Sequence, residues 1–346
     1  MTAPLSPPPI RSRRRRFLRW AALALAVLLA VAFLGPRARL DSRLPEGRAA
    51  VPTDLLALPA WLAASETKAG PLRPETEKTI LWADPTSPAK TEFAVVYLHG
   101  FSATRQETAP FPELLSGKLQ ANLFYTRLTG HGQSGVELGR ATANDWLGDV
   151  AEAMAVARVL GHRTIVVGTS SGATLALWWA ATQPADEIQA LVLISPNFLP
   201  RDERARFALW PWGRQVARPL TGGMIDWEAT TEEAGRFWTT QWDSDAVVEM
   251  LTLPRAVEGL DLGRIRTPTL ILHSPEDWVV SLAALRRRLP DFRAQPFRVV
   301  EILGSDDPAG HVLAGRILSP STTGVVVQES VDFLASIGAS GGPAPR

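Results

Sequence analysis

A serine between two glycines is the first candidate for chemistry in this sequence. Ser170 is the central residue of a G-T-S-S-G motif that runs from Gly168 to Gly172. Residues 163–167 before it predict a buried strand, and residues 173–180 after it predict a helix. Such a tight strand–turn–helix connection strains the serine and leaves room only for glycine two residues to either side. We therefore predict a nucleophilic hydroxyl that points at a helix N-terminus, where a developing negative charge is favoured.

A serine nucleophile needs a general base, which a histidine can supply. The sequence contains five histidines, namely His99, His131, His162, His273 and His311. His311 lies in the loop after the last predicted strand, and in a doubly wound sheet this loop opens on the same edge as the turn at Ser170. The other four lie at strand ends or in glycine-flanked loops. We therefore predict that His311 is the general base.

A carboxylate is needed to orient this histidine. The predicted strand at 269–272 is followed by a loop with two acids, Glu276 and Asp277. We predict that Asp277 is the partner of His311, because its shorter side chain can be held rigidly at the apex of the turn. Glu276 is expected to be a solvated surface charge.

Two N–H donors are needed to bind the oxyanion of an acyl-transfer intermediate. The backbone of Ser171, directly after the nucleophile, supplies one. The second is expected from the loop after the predicted strand at 93–98, which begins H-G-F at His99. Gly100 permits a sharp turn there, and the N–H of Phe101 is the expected second donor.

The elements that must position these residues alternate along the chain. Short β-branched or apolar runs predict strands at 79–82, 93–98, 122–127, 164–167, 190–194, 269–272 and 297–302. Helices are predicted at 111–119, 143–160, 171–182, 281–289 and 323–335, with Asn144 as a cap of the second. This alternation predicts an α/β fold with a doubly wound, mostly parallel sheet. The tryptophan-rich stretch at about 198–261 interrupts it and predicts a helical cap inserted after the sixth strand.

Five short motifs together resemble those of a known superfamily. They are H-G-F at His99, G-H-G-Q-S around His131, and the motifs at Ser170, Asp277 and His311. The last three follow the Ser–Asp–His chain order of α/β-hydrolases. The chain resembles that superfamily, and within it the serine esterases and monoacylglycerol-lipase-like proteins of the serine aminopeptidase S33 type.

The resemblance covers about residues 75–337 and implies roles for two further positions. His131 is expected to support the active-site face without a catalytic role, and the place of Phe101 after His-Gly agrees with the oxyanion donor proposed from the residues. The run R-Q-E at 105–107 is not a general feature of the family. It is either a polar wall of the pocket or a solvated helix start.

The N-terminus combines a basic run with an apolar one. The net charge of +1 includes six arginines within residues 1–19, so the remaining chain is mildly acidic, and nucleic-acid binding is not expected. Residues 17–34 could form an apolar helix of about 27 Å, short for a membrane span but sufficient with snorkelling arginines. We predict a single-pass signal anchor in the cytoplasmic membrane, with residues 1–16 cytoplasmic and the catalytic domain outside. A cleaved signal peptide or a twin-arginine export signal are the alternatives.

The segments on either side of the hydrolase domain are expected to be less regular. Residues 35–75 contain six prolines and predict a linker with one short amphipathic helix near 55–64. Residues 76–337 are expected to form the hydrolase domain. The Gly- and Pro-rich residues 338–346 predict a disordered tail.

These observations predict a serine hydrolase that cleaves carboxylic esters through an acyl-enzyme. The anchor and the tryptophans of the cap favour lipid-derived or medium-chain acyl esters. The absence of cysteine excludes a thiol nucleophile, and since neither metal-ligand spacing nor a cofactor motif is present, we expect no metal and no cofactor. A peptidase or an acyltransferase on the same triad, or a non-catalytic binding protein of the same fold, are the alternatives.

Overall fold

Seven strands form the central sheet of the computed structural model, which describes residues 10–41, 43–44, 50–184 and 187–341. The strands are β1 (Thr79–Leu81), β2 (Thr91–Leu98), β3 (Asn122–Tyr125), β4 (Gly161–Thr169), β5 (Ala190–Ile194), β6 (Thr269–His273) and β7 (Phe297–Glu301). Their order in the sheet is β1-β3-β2-β4-β5-β6-β7. Only β1 pairs antiparallel with its neighbour, so the mostly parallel sheet predicted from the sequence is confirmed.

The described residues contain eleven α-helices. They are α1 (Ile10–Leu34), α2 (Leu58–Ala69), α3 (Phe111–Leu119), α4 (Gly135–Arg140), α5 (Ala143–Leu160), α6 (Ser171–Thr182), α7 (Gly213–Leu220), α8 (Glu232–Phe237), α9 (Ser244–Glu258), α10 (Leu282–Arg288) and α11 (Pro320–Ser336). The five predicted helices are all present. The cap of α5 differs from the prediction: the side chain of Thr142 accepts from the N–H of Asp145, while the Asn144 amide donates to the carbonyl of Asp41.

Helices cover both faces of the sheet. Because side chains alternate along a strand, Val96 of β2 faces a core that includes α5 and α6, whereas Val95 faces a core that includes α3 and α11. Both valines are fully buried. This two-sided burial explains why the parallel strands read as continuous apolar runs in the sequence.

The cap is the insertion between β5 and β6. It contains α7, α8 and α9, together with a two-stranded antiparallel ribbon of Met224–Asp226 and Gln241–Asp243. Its place after the fifth strand of the sheet corrects the expected place after the sixth. The five strands predicted ahead of it are the five observed, so only the strand number given for the position of the cap was wrong.

The segment before β1 packs on the hydrolase domain over part of its length, where a linker was expected. Helix α2 extends to Ala69, beyond the expected helix end, and its Leu58 and Leu62 are buried in the main core. Glu66 of the same helix is 7% exposed and accepts two hydrogen bonds from Arg127, at 2.8 and 3.0 Å. The ammonium of Lys78 lies 3.9 Å from the same carboxylate. A buried charge cluster therefore fastens α2 to the sheet.

Replacing Glu66 by alanine is expected to lower the free energy of unfolding by about 3–5 kcal/mol, because Arg127 and Lys78 would remain buried with less compensation. Chemical denaturation of the detergent-solubilised chain measures the loss. Lys68→Ala is the matched control, since Lys68 lies exposed on the same helix and should change stability by about 0.5 kcal/mol or less. Equal stabilities of the two variants would contradict a structural role for this cluster.

The segments that flank residues 76–337 are described in part. Within α1, Arg14–Leu34 contains an 18-residue stretch with a mean hydropathy of 2.3 and is long and apolar enough to cross a membrane. Most of the expected cytoplasmic segment 1–16 lies outside the described residues, as do residues 42 and 45–49 of the expected linker and 342–346 of the expected tail. The start of that tail is ordered, because Ala339 is 1% exposed and packs in the core beside α11.

Candidate active site

The turn that carries Ser170 has the strained backbone predicted for it. Ser170 adopts a φ of 53° and a ψ of −116° at the junction of β4 and α6, in a region that non-glycine residues rarely occupy. Its N–H donates to the carbonyl of Ile194 at 2.9 Å. A Cβ on Gly172 would lie 2.1 Å from the carbonyl oxygen of Leu98, so only glycine lets α6 approach β2 this closely. A Cβ on Gly168 would contact the backbone of α6 at 2.8 Å.

His311 and Asp277 form a direct pair at the same edge of the sheet. The imidazole Nδ1 of His311 lies 2.8 Å from Oδ2 of Asp277, whose side chain is fully buried. The other oxygen, Oδ1, accepts from the N–H groups of Val279 and Val280 at 2.8 and 2.9 Å. These bonds orient the carboxylate toward Nδ1, which leaves Nε2 of His311 to exchange a proton. Glu276, the alternative acid, is exposed.

The end of β5 links this pair to Ser170. The carbonyl of Ile194 accepts from the N–H of Ser170 at 2.9 Å, and the hydroxyl of the next residue, Ser195, donates to the carbonyl of His311 at 2.7 Å. The backbone of His311 is held further by Asp307, whose Oδ2 accepts its N–H at 2.9 Å. The structure therefore brings Ser170, Asp277 and His311 to one edge of the sheet.

The environment of His311 favours its protonated form. Burial opposes a charge on the ring, but the nearby carboxylates of Asp277, Glu107 and Asp307 outweigh it and raise the pKa of His311 above its ordinary value. A base must be neutral to accept a proton. Any activity that depends on this base should therefore be absent at acidic pH and appear as the pH rises through the raised pKa.

The expected oxyanion loop is held by His99. Its Nε2 accepts from the N–H of Leu128 at 3.1 Å, so the proton must reside on Nδ1, which lies 2.8 Å from the carbonyl of Gly100. Burial lowers the pKa of His99 to about 4, so the ring is neutral at physiological pH. The bond to Gly100 fixes the peptide plane between Gly100 and Phe101. Since N–H and C=O point in opposite directions across a trans peptide, the N–H of Phe101 points away from His99.

His131 contacts this loop through its ring. It is buried, and its ring centroid lies 4.9 Å from that of His99, 6.0 Å from Phe101 and 5.6 Å from Trp146. Burial holds its pKa well below the ordinary histidine value, so the ring is neutral. These are the contacts of a residue that supports the loop by packing.

The sequence predicted no role for Arg201 of this site, and it left two interpretations open for Glu107, a polar wall of the pocket or a solvated helix start. Glu107 is buried and hydrogen-bonded, so the start of a solvated helix does not describe it. Arg201 donates to the carbonyl of Asp277 at 2.8 Å and stacks over Trp278 at 3.6 Å from the ring centroid. The position of Glu107, seven residues after Gly100, offered one signal, because a charge so close to a catalytic loop invites a role. The position of Arg201 offered none.

Comparison of the sequence with known families shows which family the chain belongs to. The sequence model of the family described as "Serine aminopeptidase, S33" matches residues 89–295, which is more than half of the chain. The chain belongs to the serine aminopeptidase S33 family. This S33 chain is 29% identical over 200 residues to a thermostable monoacylglycerol lipase from Bacillus sp. (strain H-257), covering 57% of this chain and 76% of that protein. Together these matches support a hydrolase of the lipase and esterase type.

Solved structures show the same fold. One is a lipolytic enzyme from a metagenome study of LipS and LipT, with a TM-score of 0.63 and 20% identity over 77% of the S33 chain and 100% of the other. Another is a monoacylglycerol lipase from Paleococcus ferrophilus, with a TM-score of 0.56 and 15% identity over 76% and 99% of the two chains. The α/β-hydrolase fold expected from the sequence is therefore confirmed.

Proposed function

We propose that this S33 chain is a serine hydrolase that cleaves carboxylic esters through an acyl-enzyme. The observation that carries the proposal is the His311–Asp277 pair, joined at 2.8 Å, at the same sheet edge as the strained turn of Ser170. A base oriented by a buried carboxylate beside a serine on such a turn is the arrangement that serine nucleophiles require.

Each proposed catalytic step has a group on this chain to perform it. His311 Nε2 takes the hydroxyl proton of Ser170 as Oγ bonds to the carbonyl carbon of the ester, and Asp277 stabilises the resulting imidazolium. The oxyanion is bound by the N–H groups of Phe101 and Ser171. As the first residue of α6, Ser171 has an N–H with no acceptor inside the helix. The intermediate then expels the alcohol, which receives the proton from His311.

The second half of the reaction repeats these steps with water. His311 accepts a proton from a water molecule whose oxygen attacks the acyl carbon bound to Ser170. The new tetrahedral intermediate collapses, Ser170 leaves, and His311 returns the proton to its Oγ. The free acid is released, and the chain is ready for another ester.

A lipid-derived or medium-chain acyl ester is the proposed substrate. The Bacillus relative is a monoacylglycerol lipase. Trp242 of the cap is buried and contacts Phe101 edge-on, with ring centroids 5.5 Å apart. Trp238 of the cap shares an apolar cluster with Val312, the neighbour of His311. The cap therefore places apolar side chains against two segments of the proposed site, which suits an acyl chain.

The outer surface of the cap supports delivery from a membrane. Five large apolar side chains are exposed in and around α7, namely Phe207, Trp210, Trp212, Val216 and Leu220. The indole N–H of Trp212 donates to the carbonyl of Val31 in α1 at 2.7 Å, and the backbone N–H of Trp212 donates to the carbonyl of Pro36 at 2.9 Å. The exposed apolar face thus adjoins the end of the candidate membrane helix. We propose that α1 is a signal anchor, with residues 1–16 cytoplasmic and the hydrolase domain at the outer surface; export after cleavage is the alternative.

Acyl esters of eight to twelve carbons are expected to be turned over with a kcat/KM at least about tenfold above that of the acetyl ester, because each buried methylene contributes about 0.8 kcal/mol of apolar transfer. Initial rates of the full chain in lipid nanodiscs, with p-nitrophenyl esters below their aggregation limit, measure this ratio. A preference for the acetyl ester would contradict the lipid-derived substrate and leave a small-ester carboxylesterase.

The same assay tests the peptidase alternative. Amino-acid p-nitroanilides take the place of the esters with the same protein, and the absorbance of the released p-nitroaniline measures their turnover. Turnover of the anilides above that of every ester would favour an aminopeptidase, whose activity the family description names.

A further inference from the structure

The carboxylate of Glu107 lies between two parts of the proposed catalytic machinery. Its Oε2 accepts from the N–H of Gly100 and from the hydroxyl of Tyr97, both at 2.8 Å. The Tyr97 hydroxyl also lies 3.2 Å from Oγ1 of Thr169, the residue directly before Ser170. One continuous chain of hydrogen bonds therefore joins the loop of Phe101 to the strand that carries Ser170.

We propose that Glu107 is a positioning residue, which fixes the oxyanion loop relative to the nucleophile for the ester hydrolysis proposed above. Gly100 lacks a side chain, and a Cβ there would lie 2.6 Å from Oε1 of Glu107 and 3.3 Å from Cβ of Ser170. The carboxylate thus occupies the space beside the serine that a larger residue at position 100 would fill. Gly100 itself has no side chain that could hold the loop in this position.

Two groups fix Gly100 from opposite sides. Its N–H is bound by Glu107, and its carbonyl is bound by His99 at 2.8 Å. With both flanking peptide groups held, the direction of the Phe101 N–H is set before substrate arrives. Donors that are already oriented stabilise a developing oxyanion without having to reorient during the reaction.

The carboxylate is also part of the electrostatic environment of the base. Burial raises the pKa of Glu107 above its ordinary value, and the bonds from the Gly100 N–H and the Tyr97 hydroxyl offset this only in part. The titratable groups that face the carboxylate are Tyr97 on β2, and Asp307 and His311 in the loop after β7. The charged groups that act on His311 in turn are Asp277, Glu107 and Asp307. Arg316 lies near by, with its guanidinium donating to the amide oxygen of Gln106. An ionised Glu107 favours protonated His311.

Replacing Glu107 by alanine and by glutamine separates these effects. Glu107→Ala removes the acceptor for Gly100 and should lower kcat by about 10- to 1,000-fold, at most the roughly 100- to 1,000-fold cost of losing one oxyanion donor, with KM changed less than threefold. Glu107→Gln keeps an acceptor oxygen and should restore kcat to within about tenfold of the original chain. Because glutamine removes the negative charge that raises the pKa of His311, the acid limb of its kcat/KM profile should move to lower pH.

Glu276→Gln is the matched control, because it removes an exposed carboxylate from the loop next to His311 without touching Gly100. It should leave kcat and the pH profile unchanged. Binding of a trifluoromethyl ketone gives a second readout, since its oxyanion would use the same donors. Its inhibition constant should rise in Glu107→Ala by about the factor by which kcat falls.

Three results would overturn the proposal: a kcat of Glu107→Ala within twofold of the original chain, an unchanged acid limb in Glu107→Gln, or unchanged ketone binding in Glu107→Ala. If Glu107→Ala cannot be recovered folded, the position of the acid limb in the kcat/KM profile of Glu107→Gln tests the proposal. Failure of the underlying ester hydrolysis is recognised separately, because the unaltered chain would then not turn over the p-nitrophenyl esters.

Discussion

Replacing Ser170 by alanine is expected to lower kcat for an acyl ester by at least about a thousandfold, a loss of about 4 kcal/mol of transition-state stabilisation. The reason is that no acyl-enzyme can form without its Oγ. Alanine is smaller than serine at a turn that the rest of the structure holds, so the thermal midpoint should change little. Hydrolysis of a p-nitrophenyl ester of eight carbons, measured with the full chain, gives the ratio.

Covalent labelling provides the control for this experiment. A fluorophosphonate probe should modify the unaltered chain at Ser170, found by mass spectrometry of its peptides, and should leave Ser170→Ala unmodified. Near-normal turnover in Ser170→Ala, or labelling at another serine with loss of activity, would remove Ser170 from the mechanism. A folded Ser170→Ala variant that binds ester but does not turn it over would support Ser170 as the nucleophile.

Replacing Asp277 by asparagine is expected to lower kcat by about ten-thousandfold. Oδ1 of Asp277 is committed to the N–H groups of Val279 and Val280, and only Oδ2 faces Nδ1 of His311. An asparagine that keeps the first two bonds must place its NH₂ against Nδ1, and this selects the imidazole tautomer with its proton on Nε2. That tautomer cannot accept the proton of Ser170.

The pH dependence of this variant gives an independent check. Loss of the Asp277 charge removes the strongest of the influences that raise the pKa of His311. The acid limb of the residual activity should therefore move to lower pH. Glu276→Gln is the matched control, one residue away and exposed, and is expected to retain full activity. If Glu276→Gln lost activity and Asp277→Asn kept it, the assignment of the acid would be wrong.

Local patterns in the sequence were enough to predict the central sheet. The strand at 190–194 and the helices at 111–119, 143–160 and 171–182 coincide with the elements observed. Buried parallel strands are short apolar runs with both faces covered, so a run of neighbouring apolar residues is enough to locate them. The strained turn at Ser170 was predictable from its local motif; contacts within the turn require Gly168, whereas the close approach of Leu98 in β2 requires Gly172.

The candidate triad needed one further step, from local pattern to sheet edge. Ser170, Asp277 and His311 each follow a strand, and the carboxyl ends of parallel strands meet at one edge. The choice of Asp277 over Glu276 rested on side-chain length. The structure places Asp277 against His311 and leaves Glu276 exposed, which the spacing of the two alone did not distinguish.

Only the tertiary structure decided the features that depend on segments distant along the chain. The burial of Glu66 depends on Arg127, sixty-one positions away, so the sequence around it predicted a linker helix and not a charge cluster. The tautomer of His99 is set by Leu128, and the contact of Trp212 with α1 joins segments that are far apart in the sequence. Glu107 appeared as one charge in a polar run, and only the fold brings Tyr97 and Gly100 to its carboxylate. Such contacts arise from packing between elements, which no local pattern encodes.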